Sequence, residues 1–410
     1  MSPIDVAMVG AGPAGARAAY ALARGGVRVT IFDGSHPREK PCGGGVTGRA
    51  LALVADAIDA STFPRTVIRS ARFTHTGNGS GFSRTIGPPE GGPHVRTARA
   101  GIGVPLDDGA LVVVSRAEFD AALLTAAERA GAVLVRSRVS DVSAVANGAT
   151  LTTADGRRHH ASYVVGADGT NSLVRRRVAT PFRRDQLSIA TGFFAHGVTS
   201  DEIVIELTGS PPGYIWSFPR PNHLAIGICA QADAGIGADA LRTRTAAWMA
   251  ATGIAEGATL EPYSWPIPSL SAGDFDAVEL TGPRWALAGD AAGLVDPITR
   301  EGIFFALASG QWIADALLAG DPAVRYTSQV RDEAIAELAR AARLKAGFFR
   351  PAFTGLMMRA LVESRAIRAV MADLVAGRQS YASLKWRLLK TFELGLAWRA
   401  VRGRKSEFKT

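Results

Sequence analysis

A cysteine stands between a proline and three glycines at residues 41–45, in the sequence PCGGG. Glycine lets a ligand or another backbone approach closely, and proline stiffens the chain beside it. The thiol of Cys42 is therefore expected to be held in a defined place beside something bulky. A surface loop that happens to contain a cysteine explains the same residues, so the pattern alone leaves both interpretations open.

A second group of residues has the spacing of a dinucleotide site. Gly10, Gly12 and Gly15 form a G-x-G-x-x-G motif, and Asp33 follows Gly10 by 23 residues. The first glycine of such a motif makes the turn, the second admits a pyrophosphate and the third packs helix on strand. The helix start offers N–H groups to the phosphates, and the aspartate accepts hydrogen bonds from ribose hydroxyls. The spacing predicts a bound dinucleotide, either NAD or FAD.

The surrounding segments predict how these residues are positioned. An apolar run at 4–9, an alanine-rich helical segment and the strand-like VRVTIFD form a βαβ unit around the glycines. Residues 116–130 have helical periodicity, strand patterns dominate from 185 to 268, and the pattern after about 325 is almost wholly helical. This order predicts a nucleotide-binding domain in three pieces, an inserted antiparallel sheet and a helical C-terminal part.

Composition limits the class of protein. With 47% apolar and 20% charged residues over 410 positions, the chain is typical of a globular protein with a large core. It contains no apolar run long enough to span a membrane and no signal peptide pattern at its start. Two cysteines are too few for a disulfide framework or a metal site, and we expect a cytoplasmic protein.

Most of the excess positive charge lies in one segment. The net charge is +9, and residues 383–410 hold eight Lys/Arg and two Glu. Such a segment suits anionic lipid headgroups or an acidic partner better than nucleic acid, and it predicts peripheral membrane contact on the cytoplasmic face. A solvated helical tail is the alternative.

Two distant motifs decide between NAD and FAD. VVGADGTNSLVRR places Asp168 and Gly169 in a turn after a strand, and WALAGDAAGLVDP does the same with Gly289 and Asp290. With the N-terminal glycines and the helix start SRAEFD, they make residues 4–320 resemble the FAD enzymes of the para-hydroxybenzoate hydroxylase type. The resemblance implies that Asp290 holds the ribityl chain and that Arg116 lies near the flavin's phosphates.

Residues 211–219, PPGYIWSFP, narrow the resemblance further. Their spacing P-x-x-Y-x-W-x-F-P resembles a signature of the geranylgeranyl reductase family, and PCGGG is that family's second mark. The resemblance places Cys42 next to the flavin ring, where the prenyl double bond binds. It implies a reductase that saturates isolated C=C bonds of a polyprenyl lipid by hydride transfer from reduced flavin N5, with proton delivery near Cys42.

Three aromatic residues of this signature alternate along the predicted strand and therefore point to one face: Tyr214, Trp216 and Phe218. An isolated alkene has no electrophilic carbon, so reduction requires a proton at one carbon as hydride reaches the other. Cys42 is expected to supply or relay that proton. The π faces of Tyr214 and Trp216 are expected to stabilise the developing positive charge, and all three aromatic rings to pack the isoprenoid chain. Plain core packing is the alternative interpretation.

The segment DPITREG at 296–302 matches the family's turn beneath the isoalloxazine ring. Many family members have glycine where Arg300 stands, and both a position at the flavin's pyrimidine edge and a surface position remain open for this arginine. Gly302 is expected to present N–H groups to the flavin O2 region. The predicted cofactor site comprises Gly10, Gly12, Pro13, Ala14, Gly15, Asp33, Cys42, Gly43, Gly44, Arg116, Asp168, Gly169, Gly289, Asp290, Pro297, Gly302 and Ile303.

The predicted fold class is α/β: a Rossmann-like FAD-binding domain of the para-hydroxybenzoate hydroxylase and glutathione reductase type, with an inserted antiparallel substrate domain and a helical C-terminal region. The predicted FAD-binding domain comprises residues 1–66, 96–184 and 270–325. The substrate domain comprises 67–95 and 185–269, and the helical region is 326–410.

Two other functions stay open. One is a flavin-dependent monooxygenase or halogenase of the same superfamily, although no lysine after the first βαβ unit is suitably placed to carry halogen and PCGGG is then unexplained. The other is a flavoprotein that passes electrons to a quinone. No second G-x-G-x-x-G marks an NADPH domain, so the electron donor is either NADPH that docks transiently or a protein such as ferredoxin.

Overall fold

The computed structural model describes residues 4–75 and 101–391. The strands in these ranges are β1 (Ile4–Val9), β2 (Val29–Phe32), β3 (Gly45–Thr47), β4 (Arg65–Val67), β5 (Ser70–His75), β6 (Ile102–Pro105), β7 (Leu111–Val114), β8 (Val133–Val135), β9 (Val139–Val145), β10 (Gly148–Thr153), β11 (Arg158–Gly166), β12 (Leu187–His196), β13 (Glu202–Gly209), β14 (Pro212–Pro219), β15 (His223–Gln231), β16 (Thr259–Pro268), β17 (Thr281–Gly282) and β18 (Trp285–Leu287). The α-helices are α1 (Pro13–Arg24), α2 (Gly48–Ala52), α3 (Arg116–Arg129), α4 (Leu173–Val178), α5 (Ala238–Thr252), α6 (Ala272–Asp276), α7 (Ile303–Leu318), α8 (Pro322–Val330), α9 (Ala336–Phe348), α10 (Pro351–Glu363), α11 (Arg365–Val375) and α12 (Tyr381–Lys390).

The first large sheet is the nucleotide-binding sheet. Its parallel strands run in the order β18-β11-β1-β2-β8, with β17 and the β9–β10 hairpin added in antiparallel fashion. Helix α1 carries the chain from β1 to β2, whereas the other neighbour of β1 is the distant strand β11. The carboxyl end of β1 is therefore a topological switch point, where open α/β sheets bind their ligands.

The second large sheet has seven strands in the order β16-β12-β15-β14-β13-β5-β6. Neighbouring strands within this sheet are antiparallel, except for β13 and β5, which are parallel. One face packs against α5, where Ile215, Ile226 and Trp248 share a core cluster. Because successive side chains of a strand point to opposite faces, the other face carries Tyr214, Trp216 and Phe218. The alternation predicted for this strand is confirmed.

The C-terminal helices close the far part of the second sheet. Phe349, Met357, Leu361 and Met371 of this region share a core with Phe73 of β5. None of the helices in the described ranges combines the length and the apolar character that crossing a membrane requires. The basic segment 383–410 lies outside the described residues from position 392 onward.

The predicted fold class is confirmed by this arrangement of a parallel nucleotide-binding sheet, an antiparallel sheet and C-terminal helices. The domain bounds stay a prediction. Strand β6 pairs with β5 in the second sheet, so the predicted boundary at 95/96 separates two strands that are paired. Residues 76–100 around that boundary lie outside the described ranges.

Candidate active site

A cavity of about 660 Å³ lies between the two large sheets. The carboxyl end of the first sheet contributes Gly10, Asp33 and Ala167, and the second sheet contributes Trp216 and Cys229. Its volume lies within the usual range for cofactor and small-molecule sites.

The glycine turn after β1 is shaped by close packing on one side and openness on the other. A Cβ on Gly15 would lie 1.9 Å from the Gly10 carbonyl oxygen, and one on Gly10 would lie 2.4 Å from that of Ala167. A Cβ on Gly12 would meet only the His36 ring, at 3.7 Å. Gly12 is also the N-cap of α1 and supplies no side-chain cap, so the backbone at the helix start can bind a phosphate group.

A chain of polar contacts runs from Asp33 at the end of β2. His36 Nδ1 lies 2.7 Å from Asp33 Oδ2, and its Nε2 lies 3.4 Å from Asp120 Oδ2. Burial favours the neutral ring, yet hydrogen bonds with Asp120 and Asp33 raise the pKa of His36 above its ordinary value. Although burial alone would raise the pKa of Asp33, its hydrogen bonds with His36 and the Ala11 and Ser35 N–H groups hold it well below the usual range.

This series of polar contacts continues from Asp120 through Arg116 to Cys42. Arg116 is buried and binds both carboxylate oxygens of Asp120, at 2.9 and 2.7 Å. Its remaining nitrogen, Nη1, lies 3.7 Å from Cys42 Sγ. The adenosine-binding acid predicted at one end of the cavity is thus connected to the cysteine predicted at the other.

Arg220 holds the Cys42 loop from the second sheet. This arginine is completely buried, donates 2.7 Å to the Cys42 carbonyl oxygen and lies 3.8 Å from Cys42 Sγ. It also pairs with Glu39, whose carboxylate accepts from Ser115 Oγ and the Arg116 N–H. Two guanidinium groups therefore fix the position of the thiol.

Two further predicted acids line the cavity. Asp290 pairs with Lys40 Nζ at 2.9 Å. Asp168 accepts from the Leu173 and Val174 N–H groups at the start of α4, and its burial raises its pKa. Lys40 is the one cavity-lining lysine among the described residues.

Three predicted cofactor residues do not line the cavity: Gly15, Gly289 and Pro297. Gly15 serves the packing of α1. Gly289 lies between the lining residues Ala288 and Asp290, and Pro297 lies between Val295 and Thr299, which also line the cavity. The remaining predicted residues line it: Gly10, Gly12, Pro13, Ala14, Asp33, Cys42, Gly43, Gly44, Arg116, Asp168, Gly169, Tyr214, Trp216, Phe218, Asp290, Gly302 and Ile303.

Tyr214, Trp216 and Phe218 of β14 form an aromatic wall of the cavity. This aromatic wall connects two loops. The Tyr214 hydroxyl donates 2.8 Å to the Thr299 carbonyl oxygen, and burial raises its pKa well above the ordinary value. At the other end, a Cβ on Gly43 would lie 3.0 Å from the Phe218 ring. Trp216 lies between Tyr214 and Phe218 on the same face of β14. Tyr214 therefore keeps its proton engaged with backbone and offers the cavity its ring.

Several residues of the site were not predicted from the sequence. Arg220 lies between Pro219 and Pro221, directly after the aromatic signature. A cation at the end of an apolar strand was the sequence signal that could have identified it. Cys229 is buried and opposite Tyr214 in the strand register, yet it also lines the cavity. His36 and Glu39 belong to no motif, and Asp120 ends the SRAEFD motif without having been singled out. Lys345 belongs to no motif either and does not itself line the cavity.

FAD fits the residues that line this cavity. The open backbone at Gly12 suits a pyrophosphate, and Asp33 lies beside it at the end of β2. Asp290 and the start of α7 at Gly302 and Ile303 lie along the same cavity and suit the ribityl chain and the flavin.

The comparisons with known proteins agree with that fit. The sequence profile of the FAD binding domain matches residues 3–317. The chain is 31% identical to menaquinone reductase of Mycolicibacterium smegmatis, over 77% of this chain and 76% of that protein. It is 28% identical to geranylgeranyl diphosphate reductase of Rhodobacter capsulatus, over 77% and 75% of the two chains. A geranylgeranyl bacteriochlorophyll reductase-like protein of Thermoplasma acidophilum has the same fold, with a TM-score of 0.73, 21% identity and coverage of 94% and 98%.

Proposed function

Because the chain belongs to the geranylgeranyl reductase family of FAD-dependent oxidoreductases, we propose that it saturates isolated C=C bonds in the polyprenyl part of a lipid. The observation that carries this proposal is that Cys42, Trp216 and the dinucleotide-binding turn line one cavity. A cofactor at the glycine turn and a lipid on the aromatic wall can therefore meet beside the thiol.

Gly12, Asp33 and Asp290 would hold FAD, and the cofactor in its reduced form would supply the hydride for alkene reduction. The Cys42 thiol supplies or relays the proton that this reduction also requires. Arg116 and Arg220 hold the sulfur in place, since their guanidinium groups lie 3.7 and 3.8 Å from it. A fixed donor lowers the entropy cost of bringing the proton to the carbon.

The wall of β14 binds the lipid and stabilises the positive charge that develops on the tertiary carbon. Tyr214 and Trp216 are edge-to-face neighbours with ring centroids 5.8 Å apart. Their π faces attract a cation, and desolvation strengthens this attraction. Because the Tyr214 hydroxyl is bound to the Thr299 carbonyl, we assign the proton to Cys42 rather than to Tyr214.

Apolar side chains around the aromatic wall accommodate the long chain of the lipid. Leu111, Leu374 and Val375 line the cavity, the last two from α11. The C-terminal helices thus contribute to substrate binding as well as to the core. We propose an isoprenoid chain as the group that covers these side chains.

The test is turnover by holoenzyme reduced with dithionite under anaerobic conditions. Geranylgeranyl diphosphate and a menaquinone are incubated in parallel, and mass spectrometry looks for the gain of two hydrogen atoms per double bond. We expect saturated product from wild type and strong loss of turnover in Cys42→Ser, with flavin absorbance unchanged. Full turnover by Cys42→Ser would remove the proton role of this thiol.

The competing function is a flavin-dependent monooxygenase or halogenase. The amine of Lys40, on the loop after the first βαβ unit, is paired with Asp290, which gives it a structural partner. Aerobic incubation with NADPH and bromide or an aromatic substrate separates the functions. Oxygenated or brominated product without alkene reduction would favour the oxygenase over the reductase.

We also propose peripheral membrane contact through the C-terminal segment, with the lipid substrate delivered from the bilayer. Trp386 and Leu389 of α12 are 66% and 56% exposed, and Arg387 and Lys390 are beside them in sequence. Exposed apolar residues with adjacent cations suit an anionic bilayer surface. Co-sedimentation with anionic vesicles, with and without residues 383–410, tests this membrane contact. Equal binding by both forms would exclude it.

We propose that the electron donor is either NADPH or a ferredoxin-type protein. Supplying each of them in place of dithionite in the reduction assay tests this.

A further inference from the structure

Arg300 has a backbone conformation that is unfavourable for arginine. Its φ is +62°, and Arg284 is the only other residue besides glycine with positive φ in the described ranges. The left-handed region suits glycine, the residue that many family members carry here. Such strain at a functional cavity is retained where the side chain has a use.

The Arg300 side chain lies at the cavity rather than in solvent. It lines the cavity, and its Nη1 donates 2.6 Å to Ser269 Oγ. Its Nε is buried and has no hydrogen-bond partner among the described residues. The guanidinium therefore has unmet hydrogen-bonding capacity beside the cavity. The surface position considered for this arginine is excluded.

A second cation shares the same oxygen. Lys345 of α9 donates 2.8 Å to Ser269 Oγ and 2.6 Å to Gln231 Oε1. Ser269 is 2% exposed. Within the described residues neither Arg300 nor Lys345 forms an ion pair, and Asp233 acts on Lys345 only from a greater distance. When Lys345 is protonated, its charge and that of Arg300 repel each other, and a shared anion would relieve that repulsion.

We propose that Arg300 at the cavity, with Lys345 beside it on the shared Ser269 Oγ, forms a subsite for an oxyanion, a phosphate or carboxylate group, at the Tyr214 end of the cavity. The inference rests on the proposed function in taking this oxyanion to be the head group of the lipid. Arginine and lysine are the usual partners of both groups, with arginine able to donate two hydrogen bonds at once.

The position of the subsite suits a head group. Arg300 follows Thr299, whose carbonyl binds Tyr214, whereas Phe218 packs against Gly43 beside Cys42. Tyr214 and Phe218 are four residues apart on one strand, which separates the two ends of the wall by about 13 Å. An oxyanion at Arg300 therefore leaves the lipid chain to extend along the wall toward Cys42.

The test measures binding to oxidised, FAD-loaded protein, in which no reduction takes place. Calorimetry compares geranylgeranyl phosphate, geranylgeranoic acid and geranylgeraniol, which share one chain and differ in head group. We expect the two anions to bind wild type at least about tenfold more tightly than the alcohol, the loss typical of one charge-assisted hydrogen bond. The relative affinities of phosphate and carboxylate identify which oxyanion the subsite prefers.

Two variants and one control locate the effect. Arg300→Gly, which suits the backbone at this position, and Lys345→Met are each expected to weaken both anions about tenfold and leave the alcohol unchanged. Arg343→Met, at an exposed position of the same helix, should bind all three as wild type does. Equal affinities of the three ligands for wild type would overturn the subsite. Unchanged anion binding in Arg300→Gly together with a shifted FAD midpoint potential would assign Arg300 to the flavin instead and would equally overturn it.

A lipid-free probe separates this inference from the proposed function. Inorganic pyrophosphate should raise the melting temperature of wild-type holoenzyme and not that of Arg300→Gly. If pyrophosphate does so while none of the three lipids binds, the subsite stands and the lipid-reductase function fails. If the lipids are reduced but pyrophosphate and head-group charge have no effect, the function stands and the subsite fails.

Discussion

Arg220 Nη2 donates a hydrogen bond of 2.7 Å to the carbonyl oxygen of Cys42. The two residues are 178 positions apart in the chain, and the arginine is fully buried at the end of β14. Its ion pair with Glu39 ties the same loop to the start of α3 through Ser115 and Arg116. The position of the thiol therefore depends on both large sheets being correctly packed.

Replacing Arg220 by methionine is expected to lower stability and turnover together. The variant loses the hydrogen bond to Cys42 and leaves Glu39 without its cation, and bonds of this charged type contribute about 1.5–3 kcal/mol. Urea unfolding and the anaerobic reduction assay measure the two effects. Arg343→Met should change neither. Wild-type turnover in Arg220→Met would show that the tether does not position the thiol.

The His36 contacts make stability depend on pH. The pKa of His36 is raised in the folded protein, so its contribution to stability is complete below the ordinary value of 6.5 and is lost as pH rises through the raised value. The pKa of Asp33 is lowered, so its contribution to stability is complete above 3.8. That contribution therefore stays constant at the pH values where His36 loses its proton.

Comparison with His36→Gln isolates this effect. The free energy of unfolding of wild type, relative to His36→Gln, should decline as pH rises above 6.5 and through the raised pKa of His36. Urea unfolding across this range measures the difference. A difference that stays constant, or grows with pH, would mean that His36 is not protonated between Asp33 and Asp120.

The backbone at Arg300 predicts an unusual order of stability for two variants. Alanine and glycine both remove the side chain and its contact with Ser269, but only glycine adopts a φ of +62° without strain. Arg300→Gly should therefore be about 1 kcal/mol more stable than Arg300→Ala, although alanine is normally the more stabilising residue. Thermal and urea unfolding give the difference. A more stable alanine variant would show that position 300 has relaxed to another conformation.

Lys345 predicts a second pH effect, with the opposite sign. Burial first, and then the charge of Arg300, lower the pKa of Lys345 from 10.5 to about 7, against the opposing effects of Cys229 and Asp233. Between about 7 and 10.5 the unfolded chain holds this proton and the folded protein does not, so stability rises with pH there. Below about 7 the full cost of the buried charge remains.

Lys345→Met removes that cost. Its stability relative to wild type should increase as pH falls from 10.5 to about 7 and then level off. Unfolding by urea at a series of pH values measures this. A difference that is independent of pH would mean that Lys345 titrates as an exposed lysine does.

Local patterns determined much of this protein from the sequence alone. The glycine turn, the acid at Asp33 and the alternation of Tyr214, Trp216 and Phe218 are short-range features, because a turn or a strand face is set by residues a few positions apart. The nucleotide-binding fold follows from them. The family signature then identified Cys42 as a residue of interest.

Only the tertiary structure decided what holds these residues in place. Arg220 with Cys42, Asp120 with His36, and Lys345 with Arg300 are pairs in which at least one member belongs to no motif. The contact of Lys345 with Ser269 joins residues 76 positions apart, and that of Arg220 with Cys42 joins residues 178 apart. The charge that a buried arginine or lysine meets depends on which elements fold against it, and no local pattern of residue types carries that information.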